Sequence, residues 1–234
     1  MEFLHAVIVL SNFVIIHAIT YGSQLALGAL GVTLVYGILR FSNFAHGDTM
    51  AFGTMVAILF TWWFQSIGVS IAPLPTALLA LPIAIVLTAL LLLGTDRVVL
   101  RFYRKQKSAP VILLIVSLGI MFVYNGLVRF IIGVGDQRFS DGSRFIISAR
   151  DFKKLTGLDE GLAIKTTQVI TVITAVMVVA LLFWFLNRTR TGKSMRAFSD
   201  NEDLALLSGI NPERVVLYTW LIVAALATIA GTLY

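Results

Sequence analysis

Six apolar runs alternate with polar segments along this chain of 234 residues, at 3–39, 45–64, 76–95, 110–132, 167–186 and 215–234. About 20 apolar residues cross the hydrocarbon core of a bilayer as a helix, so each run predicts one span. The first run is longer than one crossing needs. Ser11, Asn12, His17 and Gln24 dilute it. The first firm span is therefore 18–39, with 3–17 as a lead-in that lies at the interface or extends the helix. Gly22-xxx-Ala26, Gly28 and Gly31 let a neighbouring helix approach closely, as does the pair Ala227-xxx-Gly231 in the last run. Trp62 and Trp63 fit an aromatic belt, and Pro82 predicts a kink that neighbours compensate.

The polar segments give the orientation. Segment 96–107 and segment 187–196 are rich in Lys and Arg, whereas the charges of 133–166 nearly balance. Cytoplasmic loops collect Lys and Arg, so the first two are expected inside and the third outside. Counting spans backward then puts the start of the chain outside, unless 3–39 crosses twice or the turn at 43–48 re-enters. Composition agrees with a polytopic membrane protein: 58% of residues are hydrophobic and only 13% charged, against about 25% charged in soluble domains. The net charge of +6 reports basic loops rather than nucleic-acid binding. The chain has no cysteine, which excludes disulfides, thiolate metal sites and cysteine nucleophiles. No cleavable signal peptide is expected, because Glu2 follows Met1 where a basic region would stand.

The segment at 40–48 is the densest polar interruption between two runs. Asn43, His46 and Asp48 crowd into it. One reading is an interfacial turn in wet headgroups. The other is a broken helix or re-entrant turn beside a polar pathway, since irregular backbone at membrane depth is tolerated only against protein or water. His5 and His17 lack metal-ligand partners at helical spacing and read as interfacial. The acidic residues of 133–166 lack the spacing of a calcium loop.

In segment 187–211, Gly192-Lys193-Ser194 invites comparison with a phosphate-binding loop. That motif needs a glycine five residues before Gly192, where Asn187 stands, and a preceding strand. ATP binding by this chain is therefore not expected. Ser199-Asp200-Asn201-Glu202 has the form of a capping box and predicts a helix of about ten residues, 200–208, with Asp200, Glu202 and Asp203 at its start. Gly209 stops it, and Asn211-Pro212 starts the next helix. At about 15 Å the capped helix is too short to cross. Leu204, Ala205 and Leu207 give it an apolar surface for a partner or for the protein's own helices.

Two stretches carry a resemblance. Leu30-Gly31-Val32-Thr33-Leu34-Val35-Tyr36-Gly37 followed by Asn43-Phe44-Ala45-His46-Gly47 resembles the signature of the LivH-type permeases of branched-chain amino acid ABC transporters. The loop RTGKSMRAFSDNEDLALLSGIN is similar to their cytoplasmic loop, which seats a short helix in a groove of the ATPase. The pattern (D/E)RVxxRxxR at 96–104 is also shared. The resemblance implies an all-α polytopic bundle: about six spans are present here, and the family pattern of about eight would continue beyond them. It implies one permease domain over 1–234 with a coupling loop at 187–212. Asn43, Phe44, His46, Gly47 and Asp48 would flank the substrate pathway. Arg196, Asp200 or Asp203, Leu204, Leu207 and Gly209 would couple to the ATPase. The implied partners are ATPase subunits, a second permease subunit, an extracytoplasmic substrate-binding protein and the lipid of an inner membrane, with no cofactor, metal or catalytic residue. The cargo would be branched-chain or other neutral amino acids. Urea or short amides are the near rival, because related permeases share NxAHG.

Two rivals come from other classes. An intramembrane enzyme using His46 and Asp48 as acid and base needs a nucleophile or metal nearby, and no HExxH, GxSxG or His/Asp cluster accompanies them. A secondary transporter would usually carry more ionisable residues within its spans.

Overall fold

The computed structural model describes residues 2–69, 75–135, 137, 139, 145–148, 152–154 and 163–233. The first apolar run is one continuous rod. Helix α1 (Glu2–Leu10) passes through a π-turn (Ser11–Ile15) into α2 (Ile16–Leu39). Of the two expectations for the lead-in, helix extension is the one observed. After a turn come α3 (His46–Ser66) and α4 (Ala77–Thr95). A second π-turn (Asp96–Leu100) continues α4 into α5 (Arg101–Lys105), and α6 (Pro110–Ile132) follows. Within the described part of the next segment, β1 (Phe145–Ile147) pairs antiparallel with β2 (Ile164–Lys165). Several of the charges weighed there, Asp136, Arg138, Asp141, Arg144, Arg150, Asp151, Asp159 and Glu160, lie outside the described residues. Helix α7 (Thr166–Arg188), the short α8 (Arg190–Asp200) and α9 (Glu202–Leu207), and α10 (Pro212–Thr232) complete the chain.

Among the described residues, five helices are long and apolar enough to cross a membrane: Ala6–Leu39, Ala77–Lys105, Pro110–Ile132, Thr166–Arg188 and Pro212–Thr232. The sixth expected span, α3, has the length at 21 residues but a weaker apolar signal. Its surroundings explain why. It packs against α4, α6 and α10 and buries His46, Thr49 and Thr61, so protein replaces lipid over much of its surface. Helix α10 is the central post. Inside the molecule 67% of its apolar window is buried, against 6% for the α1–α2 rod, and it packs against α2, α3 and α4. Small residues allow this, as their spacing predicts. A Cβ built at Gly53 would lie 3.0 Å from Thr228 Cα, and one at Gly231 would lie 2.8 Å from the Met50 carbonyl oxygen. The α3 and α10 backbones therefore nearly touch, where dispersion rather than hydrophobic burial holds helices together in lipid.

The basic stretch after α4 departs from the sequence reading, which treated it as a loop. It is helix as far as Lys105, and a buried carboxylate explains why. Asp96 receives both guanidinium nitrogens of Arg104, and its Oδ1 also accepts from Trp220 Nε1 at 2.8 Å. An eight-residue separation normally leaves two side chains about 80° apart around a helix. The π-turn inserts one extra residue, which restores nearly the phase of i+7 and puts them on one face. Stripping a charge of water is costly unless it is paired, so this network holds α4–α5 to α10.

One end of the bundle gathers the basic segments. Arg40 reaches the Ser199 carbonyl, and Arg101 pairs with Glu213 at 3.1 Å. The α2–α3 turn, α5 and residues 187–212 therefore share an end, the one that the excess of Lys and Arg predicts to be cytoplasmic. The α1–α2 rod runs once toward that end, so its start is expected outside. There Asn12 Oδ1 accepts from the Ala163 amide at 2.9 Å. This removes the double crossing. Because the chain has no cysteine, Ser108→Cys and Ser194→Cys test the assignment singly. An impermeant thiol reagent should label both in inverted vesicles and neither in intact cells; labelling from outside would overturn the orientation.

Candidate functional site

The site grows from the way α2 stops. Arg40 takes the left-handed conformation (φ 58) and donates its amide to Tyr36 O at 3.1 Å. The chain then reverses. Phe41 is fully buried as an anchor, the Phe44 amide donates to Ser117 Oγ at 3.1 Å, and Asn43 Oδ1 accepts from the Ala45 amide at 3.1 Å. Helix α3 starts at His46, whose Nε2 lies 3.1 Å from Gly28 O. A carbonyl only accepts, so Nε2 carries the proton and donates it to Gly28 O. Nδ1 is buried and meets no partner among the described residues.

That contact fixes depth. Gly28 is eleven residues before Leu39, roughly 16 Å back along the helix axis. The turn therefore climbs from the end of α2 into the bundle, and α3 begins inside it. The backbone amides of Phe44, Ala45 and His46 find protein partners there, whereas His46 Nδ1 does not among the described residues. His17, by contrast, is exposed on the rod and bonds to the Asn12 carbonyl at 2.9 Å; the side chain of His5 lies outside the described residues.

Beside His46 opens a cavity of about 850 Å³. Its walls come from α2 (Tyr21, Gln24, Leu25, Gly28, Val32), α3 (His46, Gly47, Met50, Thr54, Ile58), α6 (Val128, Ile132) and α10 (Ala230, Gly231). None of its described lining residues is Asp, Glu, Lys or Arg. The turn residues expected on the pathway divide here. His46 and Gly47 line the cavity. Asp48 turns to α6 and accepts from Asn125 Nδ2 at 2.9 Å. Asn43 faces a crevice of about 10 Å³ shared with Tyr124 and Trp220, too small for a ligand. Phe44 is half exposed and lines neither space.

Sequence reasoning missed Tyr21 and Gln24, treating Gln24 only as a dilution of the run. Buried Gln24 donates to the Leu233 carbonyl. The signal was present: Tyr21, Gln24, Gly28 and Gly31 recur at three- and four-residue steps, one helix face bearing polar and small residues.

The cytoplasmic loop corrects the cap. Ser199 does not start a helix; it sits in the last turn of α8 and donates Oγ to Gly37 O at 2.6 Å. Asn201 caps α9, its Oδ1 accepting from the Leu204 amide at 3.0 Å. Asn competes with Ser as an N-cap, and Asn201 alone has the extended backbone that a cap needs. The helix is thus six residues, not about ten, and Asp200 closes α8 while Asp203 opens α9. Gly209 takes φ +80 as the predicted stop, with the Ile210 amide bonding Ala205 O at 3.0 Å. Leu204 and Leu207 are 61% and 85% exposed, while Ala205 is buried, so both leucines project away from the bundle. Arg196 braces the loop by donating to Asn187 Oδ1 at 3.0 Å.

The family described as branched-chain amino acid transport system permease component matches residues 14–234. The high-affinity branched-chain amino acid transport permease protein LivH of Escherichia coli K12 is 30% identical over 221 residues, 93% of this chain and 68% of that protein. LivH of Salmonella typhimurium is 29% identical over 220 residues, again 93% and 68%. The permease protein BraD of Pseudomonas aeruginosa is 28% identical over 220 residues, 94% and 69%. No solved structure matches.

Proposed function

From the premise that this chain belongs to the family of branched-chain amino acid transport system permease components, we propose that it passes branched-chain or similar neutral amino acids through the His46 cavity. The chain is a multi-pass inner-membrane permease subunit and not itself an enzyme. In this reading a separate ATPase supplies the energy and an extracytoplasmic binding protein delivers the cargo. A second permease subunit completes the translocation unit.

The observation that carries the cargo assignment is the cavity. Its described lining has apolar walls from Leu25, Val32, Met50, Ile58 and Ile132, and neutral polar groups from Tyr21, Gln24, His46 and Thr54. Apolar walls take a branched side chain, and the neutral polar groups take the zwitterionic end without a net charge to pair. A cationic or anionic cargo would meet no opposite charge there, and burying an unpaired charge is costly. Urea would leave the apolar wall of Leu25, Val32, Ile58 and Ile132 unused, which favours the amino acid over its near rival.

The test is uptake of labelled leucine in vesicles of the assembled transporter. His46→Ala is expected to lower uptake at unchanged membrane level, because it removes the group that joins α3 to the Gly28 carbonyl at the cavity wall. Wild-type uptake by this variant would remove the cavity from the pathway.

A further inference from the structure

The short helix α9 carries the exposed leucines, but it packs on α8 and buries only Ala205. Ala205 reaches the same core as Val35 and Trp220, but as a single methyl it is a slight hold. Helix α8 has a deeper one. It buries Gly192, Met195 and Phe198 at three-residue steps, and Met195 and Phe198 belong to the same core as Val35, Ile38, Leu39 and Phe41. Its last turn also meets the last turn of α2 in a reciprocal clasp. The final carbonyls of any helix lack partners within that helix. Here Ser199 Oγ donates to Gly37 O at 2.6 Å, and the Arg40 guanidinium donates to Ser199 O. Each helix end thus satisfies an orphan carbonyl of the other.

We infer that motion driven by the ATPase enters the bundle through this clasp, with Ser199 and Arg40 as the positioning residues that tie α8 to the cavity wall. The inference rests on the permease reading above. A helix is stiff along its axis, so a displacement taken up at Arg40 moves Gly31 and Gly28 with it. Helix α3 is held by Ser117 of α6 at its entry and by α4 along its length, while α2 and α3 both pack against α10. Displacement of α2 then shears it past His46, and the 40–45 turn absorbs the difference. The bond from His46 to Gly28 O and the close contact with Gly31 lie where the two helices slide.

The experiment reconstitutes the whole transporter, with its ATPase, its second permease subunit and its binding protein, and reads substrate taken up per ATP hydrolysed. In the Ser199→Ala/Arg40→Ala double variant the ATPase stays bound and hydrolysis continues. Uptake per ATP falls at least about tenfold, a loss smaller than the full worth of a neutral and a charged hydrogen bond together. Ser199→Thr keeps the hydroxyl and should keep the wild-type ratio, which a general packing defect would not. If the double variant does not reach the membrane, Ser199→Ala alone, one atom smaller, gives the same reading. An unchanged ratio, or release of the ATPase by the clasp variants, would overturn the inference while leaving the permease reading intact. Absence of ATP-driven uptake in the wild type would overturn both.

Discussion

Leu207→Asp separates the permease from its ATPase. In a pull-down of the assembled transporter, wild-type permease retains the ATPase and the variant does not, and uptake is lost with it. Leu207 is 85% exposed on a helix too short to span, on the end of the molecule that carries Arg101, Arg104 and Arg196. An exposed leucine makes little difference to folding, so the aspartate costs the free subunit almost nothing. In an apolar groove the balance reverses, because an unpaired carboxylate loses its water there at a cost of several kcal/mol. The penalty therefore falls on binding alone, which is why membrane insertion should be normal. Leu207→Met, similar in volume and apolar, should bind as wild type. Retention of the ATPase and normal uptake by Leu207→Asp would show that α9 is not the docking element.

Gly31→Ala should abolish most transport, although alanine is the better helix former. Intrinsic propensity alone would stabilise α2 by about 1 kcal/mol. A Cβ at Gly31, however, would lie 2.6 Å from His46 Nε2, well inside contact distance. The imidazole must leave Gly28 O, forfeiting a hydrogen bond of about 1 kcal/mol net, and overpacking typically costs a further 1–3 kcal/mol. His46 is 3% exposed, so the ring has little room to retreat except into the cavity. Its neighbours on the same helix supply the controls. A Cβ at Gly28 would touch Met50 Sδ at 3.4 Å, an ordinary contact with a flexible side chain, and one at Gly22 meets nothing within 4 Å. Uptake at equal membrane level should therefore fall in the order Gly22→Ala, near wild type; Gly28→Ala, modestly reduced; Gly31→Ala, reduced about fivefold or more, by the net of the free energies just given. Equal uptake by all three would mean that the His46 contact has no part in transport.

Much of this was legible in the chain. The bounds of α6 are those of the apolar run, because Pro110 starts a helix as it must and Gly133 ends it. Asn211-Pro212 and Gly209 act as their chemistry dictates. Ser199 misled because two residues within a short stretch could cap, and the choice between them was made elsewhere. The Gly37 carbonyl, 162 positions away in sequence, takes the serine hydroxyl. Asp96 went unnoticed for a similar reason. Its partners are Arg104, brought into phase only by a π-turn, and Trp220 on another helix.

The sequence by itself determined the number of apolar runs, the basic cytoplasmic face and the family motif, since these depend on composition and local spacing, which bilayer thickness and charge asymmetry read directly. It also marked His46 as unusual, because a histidine between two spans is conspicuous in any lipid setting. Only the tertiary structure decided that α3 starts inside the bundle beside Gly28, that His46 and Gly47 face the cavity while Asp48 turns to Asn125, and that Ser199 clasps α2. Each of those depends on which helices pack together and at what height. A sequence of uniformly apolar helices leaves that open, because lipid and protein satisfy such faces about equally and only small-residue contacts and paired polar groups discriminate between them.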